Sequence, residues 1–492
     1  MDEFSVIRGS ENFKRPEVIV LMVIISCFLG YIVSKGGLLV SAAISALVMG
    51  LVFLAAVLMS PRIGFIAVLT LNFFALGIYR YLTMVPWGLT VDIMLVITYI
   101  SVFFRSFHHR LDWSRARSEL TVVAFIWFGY SLFELVNPEA GSRVGWFYAV
   151  RGVSLYMLMT IPLVFVIFSK LSDLRFFLIL WGVFSLLGTL KGLQQKFIGV
   201  DPFEQRWLDS GGAAQHLLFG ELRIFSFYSD AGQFGASQGQ AGVVFSLLAL
   251  GEKNFKRRIF YAMVALAGLF GMMISGTRGA LAVPFAGIVL YIILKKNVKV
   301  MAAGVLALIV IFVFFKFTYI GQGNSTIRRM RSAFDTKDAS LQTRLDNQKR
   351  LKAYLASRPL GGGLGAVGGI GQKYNPGSFL STVPSDSWYV QIWMENGIIG
   401  LILHLSLLFF ILGRVSYNIM FRIRNDEIKI PTTAMAAGMF GIMAASYGNT
   451  VLGQMPTGIM LYTCMVFMYM APQYDRELTL ASEQKPVKAY GS

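Results

Sequence analysis

Arg278 stands in ISGTRGAL (274–281), a short polar break between two long apolar runs. Three more arginines lie near the mouth of an apolar run: Arg151, Arg223 in ELRIFSFYSD, and Arg344 in SLQTRLDNQKRL. A guanidinium stays charged at any physiological pH, and its planar fork grips phosphate oxygens two at a time. One arginine at a bilayer centre costs about 2.5–3.5 kcal/mol or more, and less at the interface. Arginines gathered at a membrane mouth therefore suit an anionic headgroup, and a lipid-linked pyrophosphate suits them well. The small residues Ser275, Gly276, Thr277, Gly279 and Ala280 would let a bulky headgroup approach the backbone. Any single arginine could instead snorkel to lipid headgroups or bond a carbonyl. Four together point to a site.

The elements that must position these residues are membrane helices. Of 492 residues 55% are hydrophobic, and the mean hydropathy is +0.62. Apolar runs recur from 17–34 to 457–471, and those of 17 or more residues are long enough to cross a hydrocarbon core of ~30 Å. The alternating short segments of a transmembrane barrel are absent. The fold class expected is all-α: a polytopic integral membrane protein with about 12–14 transmembrane helices. The runs at 279–294 and 457–471 are short, which leaves the number open within that range.

The net charge of +18 follows topology. Alternate short loops carry clusters such as Arg105, Arg110, Arg115 and Arg117, or Lys253, Lys256, Arg257 and Arg258. The intervening short loops hold only Lys35, Arg80, Arg143, Arg151 and Arg278. By the positive-inside rule both termini are cytoplasmic, and nucleic-acid binding is not expected. The polar first 16 residues lead into an uncleaved first helix. Cys27 and Cys464 fall inside spans and suggest neither a disulfide framework nor a metal site.

Two long segments face outward, roughly 191–235 and 317–388. The second is basic and holds an amphipathic helix on which Leu341, Leu345, Leu351 and Leu355 share one broad face, ended by Pro359 and glycines. That helix could also rest on anionic lipid headgroups. The domains expected are an N-terminal bundle (1–192), an outer loop with helices and the SGTRGA motif (193–316), a large outer loop (317–388), C-terminal helices (389–471) and a cytoplasmic tail (472–492). GGGLGAVG (361–368) contains a G-x-G-x-x-G but follows a helix, not a strand, so it is no dinucleotide fingerprint. His108, His109, His216 and His404 show no ligand spacing, so no metal is expected. Asp92 and Glu134 either serve function or bond a neighbouring helix.

Three blocks, in this order and spacing, resemble the O-antigen ligase and O-antigen polymerase superfamily. They are SGTRGAL, then TRLDNQKRLKAYLASRPLGGGLGAVG, then SDSWYVQIWMENGIIGLIL, with RIFSFYSDAGQFGASQGQAGVV a weaker fourth. They cover roughly 220–412. Aligned on Tyr389, Glu395, Gly397 and Gly400, Asp386 occupies the place of the ligase's histidine and Ser387 that of its asparagine. This departure favours a polymerase. Arg350, ten residues and then Gly361 match a spacing of the polymerases. The resemblance implies a metal-independent, cofactor-free glycosyltransferase of the bacterial inner membrane, with its active site facing the periplasm. It would polymerise undecaprenyl-pyrophosphate-linked oligosaccharide repeats with inversion, among membrane lipids and with room for a chain-length regulator. Arg278 and Asp386 would be catalytic; Arg151, Arg223, Arg344, Arg350, Tyr389 and Glu395 would bind substrate. Asp386 could be general base toward a sugar hydroxyl or, with Ser385, cap the next helix. The alternatives are a ligase delivering glycan to lipid A core or another acceptor, and a transporter or flippase of an anionic solute or lipid.

Overall fold

The computed structural model describes residues 16–108, 111–218, 220–323, 325–334 and 339–483. Long helices occupy every apolar run, and 11 helices among the described residues are long and apolar enough to cross a membrane. Lipid leaves backbone groups no water to bond, so the spans satisfy most of their backbone groups within their own helical ladders. Helix Pro16–Met59 joins two of the expected spans across a kink at Gly37. Arg143–Ile167 and Trp388–Phe421 run well beyond the expected ends, to 25 and 34 residues. Among the described residues the one sheet is a two-stranded pair, Leu217–Leu218 with Glu221–Leu222, antiparallel in register.

Helix Ala231–Gly251 is the interior of the bundle. Its first half, AGQFGASQGQAG, is small and polar and almost wholly buried. Small residues let backbones close in: a Cβ at Gly268 would lie 2.8 Å from Gln238 O and Gly242 N. The buried amides are paired across helices. Ser185 Oγ donates to Gln238 Oε1 at 2.7 Å, Thr457 Oγ1 to Gln233 Oε1 at 2.6 Å, and Gln233 Nε2 to Val451 O at 3.0 Å. These bonds tie Leu171–Leu193, Ala231–Gly251 and the start of Thr457–Glu483 into one frame.

The glycine run 361–368 interlocks with helix Trp388–Phe421. Gly397 sits inside that helix at φ +65 and breaks its ladder. The carbonyls of Met394 and Glu395 instead accept from Gly362 N and Gly363 N, each at 2.9 Å. Gly361, Gly363 and Gly365 all take positive φ to present those amides. Glu395 is buried below: Oε1 accepts from Gly365 N at 3.0 Å and Oε2 from Gln391 Nε2 at 3.3 Å. The amphipathic helix Ala339–Leu355 precedes the plug. Leu351 and Leu355 are buried against Leu380, Val383 and Met394, whereas Leu341 and Leu345 remain 39% exposed. The apolar face thus docks on protein through its C-terminal half only.

Replacing Gly397 by alanine forces a side chain into the left-handed region, costing about 1–3 kcal/mol. The new Cβ would also lie 1.9 Å from Pro359 O. Gly397→Ala should therefore lower the melting temperature in detergent by several degrees. A shift below about 1 °C would show that the interlock does not hold the fold.

Candidate active site

The two long connections meet at one end of the bundle, where four guanidinium groups from four chain segments converge. Arg278 opens the turn Arg278–Leu281 between helices Phe255–Ile274 and Ala282–Lys295. Gly276, at φ +61, reverses the chain, and Ser275 Oγ accepts from Thr277 N at 3.2 Å. Thr277 Oγ1 donates to Ala231 O at 2.8 Å, pinning the turn to the start of the buried helix. The same oxygen accepts from Arg223 Nη2 at 3.3 Å. Arg278 Nη1 donates to Ser332 Oγ at 3.0 Å, and Ser332 Oγ donates to Arg329 O at 2.9 Å.

Arg329, on helix Ser325–Arg331, completes the group from a direction the sequence reading missed. Burial lowers its pKa, and the charges of Arg223 and Arg278 lower it further, with Glu221 opposing. Burial likewise lowers the Arg223 pKa; Asp230 opposes, Arg278 and Arg344 add to the lowering, and Asp386 opposes. Arg223 thus feels Arg278 and Arg344, and Arg329 feels Arg223 and Arg278. Arg344 Nε lies 3.2 Å from Asp386 Oδ2. A Cβ at Gly448 would come 3.8 Å from both Arg344 Nη1 and Gly279 Cα, which places the Arg344 tip beside the Arg278 turn. A groove formed by Leu341, Arg344, Leu345, Asp386 and Tyr447 opens next to it.

Asp386 does not cap helix Trp388–Phe421. Ser387 does, its Oγ accepting from Val390 N, which leaves the Asp386 carboxylate to Arg344. Gly279, next to Arg278, makes room for one of the protein's own side chains, whereas Gly276 meets its neighbour only at ordinary contact distance. A Cβ at Gly279 would lie 2.1 Å from Asn449 Nδ2, and one at Gly276 3.7 Å from Arg329 Cδ. Ser275, Thr277 and Ala280 are buried. Asp230, N-cap of Ala231–Gly251, accepts from Gly232 N at 2.7 Å and Gln233 N at 3.0 Å beside the group.

The other expected site residues are engaged elsewhere. Arg151 sits in a π-turn with Nε 2.7 Å from Asp92 Oδ2 and Nη2 donating to Gly88 O at 2.9 Å; Tyr156 Oη donates to Asp92 Oδ1 at 2.7 Å. Arg350 stacks on the Phe379 ring at 5.6 Å on the exposed side of its helix. Tyr389 Oη donates to Met443 O at 2.7 Å, and Glu395 holds the glycine plug. The structure brings together Arg223, Arg278, Arg344 and Asp386, and adds Arg329, Asp230 and Asn449. Clustered arginines in STIRRMRSAF could have flagged Arg329; nothing local marks Asn449.

The Arg223 segment is clamped from the N-terminal bundle. Arg80, buried, donates to the carbonyls of Ser226 and Tyr228 and stacks on Trp207 at 4.9 Å and Phe225 at 4.2 Å. Ser226 takes φ 52, a left-handed conformation costly for a residue with a Cβ. Gln195 Oε1 accepts from its amide at 2.8 Å, and its Oγ donates to Gly188 O at 2.6 Å. His216, packed on Trp207 and Phe225, is buried beside Arg80, Arg223 and Asp230. Burial, with Arg80 and Arg223, pushes its pKa down to about 4, Asp230 opposing.

His216 thus stays neutral in the fold while an unfolded chain protonates near pH 6.5. Between those values the unfolded state binds more protons, so stability falls as pH drops from about 6.5 to 4. Thermal melts across that range should show a shallower pH dependence for His216→Phe than for the parent. Equal slopes would remove His216 as the cause.

Among the described residues no group of three or more His, Cys, Asp or Glu side chains converges as a metal site. No curated protein matches the chain. A family model described as O-antigen ligase matches residues 262–405, the stretch that carries Arg278, Arg329, Arg344 and Asp386 and ends within helix Trp388–Phe421. The match covers the same three blocks whose spacing carries the resemblance, and over that stretch the chain is similar to the O-antigen ligase family.

Proposed function

We propose that the protein polymerises lipid-pyrophosphate-linked glycan at the outer face of the bacterial inner membrane. The observation that carries this reading is the convergence of Arg223, Arg278, Arg329 and Arg344 beside the Asp386 carboxylate. Four cations against Glu221, Asp230 and Asp386 leave an excess suited to a pyrophosphate, which the arginine forks would bind. The acceptor hydroxyl attacks the anomeric carbon of the donor as the bond to the pyrophosphate oxygen breaks. Asp386 takes the hydroxyl proton, and the pyrophosphate leaves with the bonding electrons. Preorganised guanidinium groups stabilise the charge that develops on it. The inversion expected of the family fits this single displacement.

Sidedness is supported by charge. Arg105, Arg115, Lys253 and Lys256 lie at the end of the bundle opposite the site, as cytoplasmic loops would. Both termini would then be cytoplasmic. Asp386 in place of the ligase's histidine favours a polymerase. The second reading, a ligase handing glycan to a final acceptor, is favoured by the description of the matching family. That match gives no support to a transporter.

In cells that depend on this protein for polysaccharide, Arg278→Ala and Arg329→Ala should each cut polymer formation about 10²–10³-fold. Asp386→Ala should cut it about 10²–10⁴-fold. With membrane expression unchanged, single lipid-linked repeats should accumulate on gels while long chains vanish. Long lipid-linked chains that never reach a final acceptor would establish the ligase instead. Normal polymer from all three variants would remove these residues from the site.

A further inference from the structure

A second concave site lies at the opposite end of the bundle, away from the arginines. Helices Trp87–His108, Glu119–Phe133 and Tyr156–Ile167 splay there to leave a groove of about 950 Å³. That is at the upper end of pockets that hold small ligands, roughly 300–1,000 Å³. Its walls are apolar, built from Tyr99, Val122, Phe125, Leu158 and Pro162. The walls are also braced. Tyr99 Oη donates to Met159 O at 2.6 Å, and Trp127 Nε1 donates to Val153 O at 2.7 Å, so two helix pairs are fastened around the opening. Pro162 cannot donate a helical hydrogen bond, which loosens the ladder on the groove side.

The rim is polar and basic. The turn Trp113–Ala116 and Arg117 close one end of the groove. The two nearest charges are already matched: Arg115 Nε lies 3.1 Å from Asp112 Oδ2, and Glu119 Oε2 lies 2.8 Å from Arg414 Nε. Arg117 forms no ion pair with a described carboxylate and is exposed at the rim. Ser118 caps the helix that starts beside it, so the positive end of a helix dipole faces the same place. Trp113, 41% exposed, supplies the amphipathic ring favoured at headgroup depth.

An apolar slot within the hydrocarbon and an unmatched cation at its mouth are complementary to one kind of molecule. We infer that the groove between helices Trp87–His108, Glu119–Phe133 and Tyr156–Ile167 binds one anionic glycerophospholipid. An acyl chain would fill the slot, and the phosphate would meet Arg117 and Trp113. A zwitterionic lipid offers the same chain but adds a cation to face Arg117, so the site discriminates by headgroup. This inference stands apart from the glycan chemistry, since it uses none of the same residues.

Native mass spectrometry of the full chain in detergent, with added phosphatidylglycerol or phosphatidylcholine, tests it. The expected result is one retained phosphatidylglycerol, held about fivefold more strongly than phosphatidylcholine, the effect of one basic residue on an anionic lipid. Arg117→Gln should erase the preference, Arg117→Lys should keep most of it, and Val122→Trp should lower retention of both lipids. Melting curves identify any variant that has lost its fold, and the lysine variant then still decides between charge and structure. Equal retention of the two lipids by the parent, or an unchanged preference in Arg117→Gln, overturns the inference. So does displacement of phosphatidylglycerol by a tenfold lower concentration of polyprenyl phosphate.

Discussion

Like charges held together in a half-buried setting repel, and the fold has to keep four guanidinium groups in place against that repulsion. None of the four sits on a long span where packing alone would fix it. Arg278 rides a turn, Arg223 an irregular segment, Arg329 a seven-residue helix and Arg344 a helix docked by half its length. Each is therefore anchored through its backbone. Thr277 ties the Arg278 turn to Ala231, Ser332 bridges Arg278 to the Arg329 carbonyl, and Arg80 fixes the chain beyond Arg223. The three carboxylates nearby, Glu221, Asp230 and Asp386, temper the repulsion without cancelling it. A preorganised positive field of this kind costs no rearrangement when an anion arrives.

Much of this architecture is written in local sequence. Apolar length gives the helices, because hydrocarbon tolerates little else. Ser-Gly-Thr-Arg-Gly marks the Arg278 turn, since a break between two spans must lie at an interface. What local pattern could not supply was which polar group each small residue was small for. Gly279 makes room for Asn449, 170 residues further along the chain by count of their numbers. Arg151 has the same local setting as Arg278, yet Asp92 in a neighbouring helix claims it. Glu395 reads as a polar residue near a helix start, and only the kink at Gly397 shows it to be a buried bracket for the glycine run. Asp386 reads in sequence as either a helix cap or a working carboxylate, and Ser387 holds the capping position.

The glycine plug and the site are mechanically joined. Helix Ala339–Leu355, which bears Arg344, runs straight into the plug, and the plug is bonded to the turns of Trp388–Phe421 just beyond Asp386. Arg344 and Asp386 thus approach each other from two arms that meet at one interlock.

The clamp on Ser226 reaches beyond the matched segment. Residues 262–405 hold Arg278, Arg329, Arg344 and Asp386, yet Arg223 depends on Arg80, Gly188 and Gln195 from the first spans. The site is therefore not a portable cassette. Chimeras that graft residues 262–405 onto the leading helices of another membrane protein would inherit the motif without its anchor. Compatible breakpoints must keep Arg80 and the Ser226 turn from the same parent.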